Sequence, residues 1–548
     1  MVAGKKLNLE WVTDVIKDTY KTWKCGDIVS IEAQTGTGKT YFILNVLFMN
    51  EILYRDDELL YVCNRINLKR QIKIDAARIQ GIKINEDDWE ALDKMKVIGK
   101  ITVTSYHEIQ QQILNEKYFG ESKLQEYYNN YRYVVLDEVH YFKQDSFNGQ
   151  TIFFFNDFIK KYNPNATTVY ITATMDYIRE PLLDYCYDLG KEPKQYSTGI
   201  DYSYIKPFYF QKFKNIIRLI KDDKTDDKWL IFVSNIEDAK KVLKEIDDSK
   251  FICAKGSKDY NIVDQDTLKS VIKESRFDCK VLVCTKALDN GVNIKDDLLK
   301  HIVVLTWDKV DFIQMLGRKR IDIHNAQEVN LYIHKRKKSS FTTLLERNYL
   351  IKQDEINLYS NDYVAFCRKY DTQISKLGKL DDLFYRDLDK EWKINQIGYE
   401  MLQIKIKFAE KMIAELEIDE NSFLIEQLSW LRLEESFDIE NNIEKMITDD
   451  NCNSVEEYLK DLYLNKVELF EDQQKKLKEF VIPNFDETVK KLQGRHKKRR
   501  AGKKILNKLF LFYEIPYSIK SDDTTRKIVD DKKVTYWVIE KKDNLTIN

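Results

Sequence analysis

The sequence predicts an α/β chain built on open parallel sheet, followed by a mainly helical region and a small α/β module at its C-terminal end. Three observations lead there. IVSIEAQTGTGKTYFI, from Ile28 to Ile43, joins a buried apolar strand to a glycine-rich loop that opens a helix. YRYVVLDEVHYF, from Tyr131 to Phe142, is a β-branched apolar strand that ends in two carboxylates. Between them, Glu58 to Gln71 and Lys100 to Ile113 each run from an apolar strand through polar residues into a helix, the pattern of a parallel sheet with crossover helices.

Composition bounds the rest. At about 150 residues per domain, the 548 residues imply roughly three or four domains. Charged residues make up 33% of the chain but sum to a net charge of -1, so a nucleic-acid surface has to arise from local segregation of charge. The eight cysteines form no C-x-x-C pair, which argues against a zinc ribbon and a secreted disulfide framework and for a reducing cytoplasm. No apolar run approaches the length of about 18 residues that spans a bilayer, and MVAGKKLNLEW lacks the apolar centre of a signal peptide. The expectation is a cytoplasmic protein with no membrane partner.

The loop sets the chemistry. Glycines at 36 and 38 let backbone N–H groups curl around an anion. Thr35, Gly36, Thr37, Gly38, Lys39 and Thr40 then form a phosphate cradle, with Lys39 reaching the β and γ phosphates and Thr40 placed for magnesium. Upstream, Leu9 to Trp23 reads as an amphipathic helix leading into the first strand. In an open parallel sheet ligands are met at the strand carboxyl ends, which puts Asn64 and Arg65 on the working face. Thr104 and Ser105 lie at the next strand end, where hydroxyls either bind phosphate or cap the following helix. Two adjacent acids at a strand end are costly unless a cation or a reaction uses them. A phosphate loop supplies both, so Asp137 is expected to hold magnesium and Glu138 to polarise an attacking water. VYITAT follows, with Thr172 and Thr174 at its carboxyl end.

AQTGTGKT, DEVH and TAT, in this order, resemble motifs I, II and III of the superfamily 2 helicases in the DExH-box group, the DEAD/DEAH-like enzymes of the kind carried by phages and mobile elements. KWLIFVSNIEDAKKV (Lys228 to Val242), KVLVCTKALDNGVNI (Lys280 to Ile294) and DFIQMLGRKR (Asp311 to Arg320) resemble motifs IV, V and VI. The resemblance runs from about residue 28 to 320 and stops near 345. It implies two tandem RecA-like domains, 1–203 and 204–345, with ATP and Mg2+ in the cleft between them. Gln314, Arg318 and Arg320 would enter from the second domain, an arginine meeting the γ phosphate when the cleft closes. His140, Thr172 and Thr174 would couple the cleft to the nucleic-acid face, and Arg65, Thr104, Ser234 and Thr285 would grip the sugar-phosphate backbone. Motif VI departs from the family pattern Gln-x-x-Gly-Arg-x-Gly-Arg: one residue is missing between the arginines, so Arg318 maps directly and Arg320 only if the chain adjusts. Asn293 stands where many relatives carry aspartate.

Beyond 345, helical periodicity over Glu400 to Glu417, Ser422 to Ile447 and Asn453 to Phe480 predicts a helical domain, 346–482. The module 483–548 carries the basic run Val489 to Lys508, then LFLFYEIPYSIK and KVTYWVIEKK as strands; a winged-helix-like DNA-binding module is one form it could take. Glu391 with Lys393, and Glu540 with Lys542, have no upstream acidic partner strand, so no nuclease is expected. The reading is an ATP-dependent helicase or translocase on nucleic acid. Single-stranded DNA is favoured over RNA because a glutamine motif upstream of the loop is absent and a basic tail is present. The alternative is an ATP-gated nucleic-acid-binding component of replication initiation or mobile-element defence, with partner proteins, that does not unwind processively. A third is the motor subunit of a restriction-type complex.

Overall fold

Long β-branched runs such as Val134 to Leu136 and Val281 to Val283 are buried completely, as strands sandwiched between helices must be. A computed structural model describes residues 4–64, 66–119, 124–144, 158, 165–188, 190–254, 256–286, 293–371, 380, 382–387, 389–493, 502–521, 525–529 and 532–542. Arg65, residues 287–292 of the fifth motif and residues 494–501 of the basic run lie outside them. By contacts the chain divides into Met1–Phe437 and Asp438–Asn548. That division falls inside the stretch 346–482 expected as one helical domain.

Among the described residues the first unit holds two large sheets and a small antiparallel ladder of Phe384–Arg386 against Trp392–Ile394. In one, β1 (Ile28–Glu32), β2 (Glu58–Val62), β3 (Val97–Ile98), β4 (Ile101–Thr104), β5 (Tyr131–Asp137), β6 (Thr167–Thr172) and β7 (Lys194–Ser197) lie in the order β3-β4-β2-β5-β6-β1-β7. Neighbours are parallel except β3 against β4. The carboxyl ends of β5, β6 and β1 are therefore adjacent on one edge, which brings Asp137, Thr172 and the phosphate loop together. The second sheet contains β8 (Ile205–Phe210), β9 (Lys228–Phe232), β10 (Ser249–Ile252), β11 (Val281–Cys284), β12 (Leu299–Val304) and β13 (Val329–His334) in the order β10-β11-β9-β12-β13-β8, parallel throughout. These are the tandem RecA-like α/β layers the resemblance implied.

The N-terminal segment belongs to both sheets. Lys5 pairs with Ala326, and Leu7 and Leu9 enter the core of the second sheet, while Val12 and Ile16 enter that of the first. The predicted helix Leu9 to Trp23 is accordingly shorter: an α-helix Val12–Ile16 passes into a 3-10 turn Lys17–Thr22, because residues 5–10 are drawn out as an extended strap.

A helix Gln396–Ile418 matches the predicted Glu400 to Glu417. Its Met412 and Leu416 join the core of the second sheet with Phe423, Leu424 and Leu428 of helix Ser422–Ser429, whereas Leu402 and Ile406 join a separate cluster around Phe366 and Trp392. The expected helix Ser422 to Ile447 is broken. Trp430 and Leu431 turn inward to the core, short 3-10 turns follow, and a new helix Ile443–Leu464 starts on the side-chain cap of Asn442. The second unit packs helices Ile443–Leu464, Glu471–Asn484, Asp486–Gln493 and Lys503–Phe512 around one apolar core with two antiparallel hairpin ladders. LFLFYEIPYSIK is only half a strand. Its first residues end the helix Lys503–Phe512, burying Leu509 and Phe510, and only Tyr517–Lys520 pairs in a sheet.

Candidate active site

The loop after β1 has the backbone its glycines require: Gly36 and Gly38 sit at φ 98° and 87°. A Cβ on Gly38 would lie 3.3 Å from the Trp11 ring. Thr37 is fully buried and closes the turn by donating from Oγ1 to the Gln34 carbonyl at 2.7 Å. Gln34 itself exchanges two hydrogen bonds with the Asp201 backbone, so this glutamine holds the loop rather than a ligand. The helix that follows begins at Lys39–Tyr41 and widens to a π-helix over Phe42–Phe48.

Glu138 is the hub. It takes a left-handed backbone, φ 50°, which a non-glycine residue adopts only when its surroundings enforce it. Its Oε1 accepts from Lys39 Nζ at 2.9 Å, and its Oε2 accepts from Thr172 Oγ1 and from Gln314 Nε2, each at 3.2 Å. Thr172 also meets His140 Nδ1 at 2.8 Å and Thr174 Oγ1 at 3.2 Å, so the three predicted coupling residues form one chain that ends on the carboxylate. Asp137 is buried, accepting from Tyr61 OH at 2.8 Å and from the Glu138 amide. Burial, then the neighbouring Glu138 charge, pushes the Asp137 carboxyl up to about 6, with Lys39 opposing. Burial pushes Glu138 the same way, but Lys39 and then His140 overcome it and hold this carboxyl well down. The two acids thus divide into one that takes a proton readily and one that stays charged.

The second sheet supplies the opposite wall. Ile294 bridges Lys319 in parallel, and the Arg320 amide donates to the Ile294 carbonyl at 2.9 Å. Lys319 is therefore strand-like, and the residues on either side of a bridged residue project to the same face. Arg318 and Arg320 both line the cleft, while Lys319 turns away and donates to the Asp296 carbonyl. The missing residue of the sixth motif is absorbed this way. Arg318 is buried and locked to Gln314, its Nε donating to the Gln314 carbonyl at 2.9 Å and NH2 to Oε1 at 2.8 Å. Arg320 differs: among the described residues its guanidinium has no ion pair, and its NH1 lies 4.0 Å from where a Cβ on Gly36 would be. Gly317 presses on the loop from the same side, because a Cβ there would lie 2.7 Å from Thr35 Oγ1.

Thr35, Lys39, Thr40, Asp137, Glu138, His140, Gln314, Arg318 and Arg320, all expected from the sequence, line this one cleft. The expected backbone contacts do not gather there. Thr104 Oγ1 donates to Glu108 Oε2, and Ser234 Oγ donates to the Leu305 carbonyl at 2.7 Å; Thr285 follows β11. Sequence reasoning missed Tyr61, Tyr106 and Trp11. The first two had a signal, since a tyrosine on β2 beside the carboxylate strand can donate to it, and Tyr106 OH donates to the Asp137 carbonyl. Trp11 had none.

A phosphate loop facing paired acids, with arginines arriving from a second parallel sheet, defines a P-loop nucleoside triphosphatase completed across a cleft. Residues 9–177 match the family model described as type III restriction enzyme, res subunit, and residues 211–321 match the helicase conserved C-terminal domain. The chain is a superfamily 2 helicase, and by class a nucleic-acid-stimulated ATPase. No curated protein matches it. Among solved structures it is similar to Saccharomyces cerevisiae Dbp5 bound to RNA and ADP BeF3, at 17% identity over 58% of this chain and 81% of that one, TM-score 0.41. A DEAD box protein from Methanococcus jannaschii matches at 17% identity over 59% and 85%, TM-score 0.33. The Escherichia coli DEAH/RHA helicase HrpB matches at 13% identity over 59% and 42%, TM-score 0.39. Among the described residues no helix is long and apolar enough to cross a membrane.

Proposed function

We propose that this chain is a cytoplasmic, DExH-type motor that couples ATP hydrolysis to movement along a nucleic-acid strand, with single-stranded DNA as the favoured track. The observation that carries the reading is the cleft in which Lys39, Asp137 and Glu138 from one sheet face Gln314 and Arg320 from the other. Residues 1–203 and 204–345 would act as its two halves. Lys39 leaves Glu138 for the phosphates, which frees the Glu138 carboxylate to orient and polarise water. Gln314, steadied by Arg318, shares that task, and Arg320 offsets charge on the γ phosphate. The Thr172, Thr174 and His140 chain reports the state of Glu138 to the strand ends.

The residues fit magnesium. Thr40 and Asp137 offer oxygen only, and among the described residues no group of three or more His, Cys, Asp or Glu could hold a metal by itself. Thr40 and Asp137 would hold such an ion, which when bound would neutralise phosphate charge.

The res-subunit model over residues 9–177 favours a second reading, the motor subunit of a restriction-type assembly. Steady-state ATPase with single- and double-stranded DNA and RNA tests the proposal. Stimulation by one of these, with Lys39→Ala and Glu138→Gln both lowering turnover on the order of 10²-fold or more, is expected. Wild-type turnover in both variants would overturn the site.

A further inference from the structure

A second cavity, of about 440 Å³, lies apart from the ATP cleft, and its lining combines aromatic rings with the lysines Lys143, Lys286, Lys309 and Lys405 and the acids Asp308, Asp311 and Glu426. Trp307, Phe341, Phe408 and Trp430 line it, as do the exposed Lys309 and Lys405. Phe341 and Trp430 are buried and Phe408 half-buried, so the rings are held in place by the core beneath them. Phe341 meets Trp307 edge-on, with centroids 5.8 Å apart, and Arg336 lies 3.9 Å from the Trp307 centroid without itself lining the cavity. Among the described residues neither Lys309 nor Lys405 has an ion pair, unlike Lys286 of the same cavity, which is held by Asp311 at 2.6 Å. Ile404, also lining it, is 48% exposed.

Its position matters as much as its lining. Ser234 Oγ and Arg336 NH2 both donate to the Leu305 carbonyl, at 2.7 and 2.6 Å, two residues before Trp307. Lys286 directly follows Thr285. The cavity therefore opens beside two strand ends expected to meet a sugar-phosphate backbone.

We infer that this cavity takes one unstacked base of a single strand, with the flanking phosphates on Lys309 and Lys405. The inference rests on the reading of the chain as a nucleic-acid motor. Aromatic rings set edge-on and tilted to one another offer both faces and edges to a base of any sequence, and two ammonium groups without ion pairs suit the phosphates on either side of it. A cavity of this size holds a base with its sugar but not a base pair in a duplex, so the site would select unpaired strand.

An abasic scan tests it. A short single-stranded oligonucleotide, as DNA and as RNA, is bound to the full chain with a non-hydrolysable ATP analogue while one base at a time is removed. The expected result is a single position at which the loss weakens binding on the order of tenfold. Phe408→Leu, which keeps an apolar side chain but removes the ring, should erase that position's effect while leaving affinity for the abasic strand unchanged. Lys405→Glu should weaken all strands alike and lower the salt dependence. Tight binding with a flat scan overturns the base site and leaves the motor reading intact. Failure of every strand to bind, with ATPase insensitive to nucleic acid, overturns both.

Discussion

The carboxylate edge of the first sheet and the arginine strand of the second differ in how far their polar groups are already committed. On the first, Lys39, Thr172 and His140 converge on Glu138 and one another while Tyr61 and the Glu138 amide hold Asp137, all within about 3 Å, and a left-handed residue locks the arrangement. On the second, Arg318 is spent on Gln314, but Arg320 reaches the loop with no ion pair among the described residues. The acids of one wall are already held by hydrogen bonds; the other wall carries an arginine with no ion pair among the described residues. On the function proposed above, a difference of this kind would let a bound phosphate draw the two sheets together by pairing with Arg320.

That contrast can be broken at several points. On the first wall a large effect is expected at Asp137, the acid whose charge burial disfavours. Asp137→Asn should lower Mg-dependent turnover on the order of a hundredfold yet raise Tm by a few degrees, because a buried charge is removed while Tyr61 OH can still pair with the amide. Calorimetry beside ATPase checks both; a lower Tm would mean that the carboxylate stabilises the apo fold. The same carboxyl sets a pH dependence. Its folded pKa, about 6, lies above the unfolded value, so the folded chain takes up the proton first and gains stability as pH falls from about 6 toward 4. Magnesium competes with that proton, and its apparent affinity, read by titration of ATPase, should weaken over the same window. The smallest effect is expected at Gly317→Ala, whose methyl would meet Thr35 Oγ1 and push the arginine strand off the loop. It should cost about 1–3 kcal/mol in thermal unfolding and raise KM for ATP more than it lowers kcat.

Much of this architecture was legible in the sequence, because strand-to-loop punctuation and paired acids leave few alternatives for Lys39, Asp137 and Glu138. The shortened sixth motif was not. Only the bridge between Ile294 and Lys319, a contact between residues distant in sequence, shows that a spacing of two puts Arg318 and Arg320 on one face. The strap of residues 5–10 was equally hidden, since Leu9 reads as the start of a helix, whereas the backbones of Lys5 and Leu7 pair with Ala326 and Ile323. Periodicity also overran the helix after Ser422, where burial of Trp430 and Leu431 overrides local helical preference. Hydroxyls at strand ends have internal partners that the sequence did not show. Thr104 and Ser234 satisfy internal acceptors, a choice that composition cannot reveal.

The account stands most directly on which arginine reaches the phosphate. Single-turnover ATP hydrolysis at saturating nucleotide should be compared for Arg320→Ala and Arg318→Ala, with nucleotide binding measured separately. Arg320→Ala is expected to lower the rate on the order of 10³-fold with binding nearly intact. Arg318→Ala, which frees Gln314 but removes no contact to phosphate, should cost about tenfold. A silent Arg320→Ala beside an inactive Arg318→Ala would contradict the cross-sheet assignment made here.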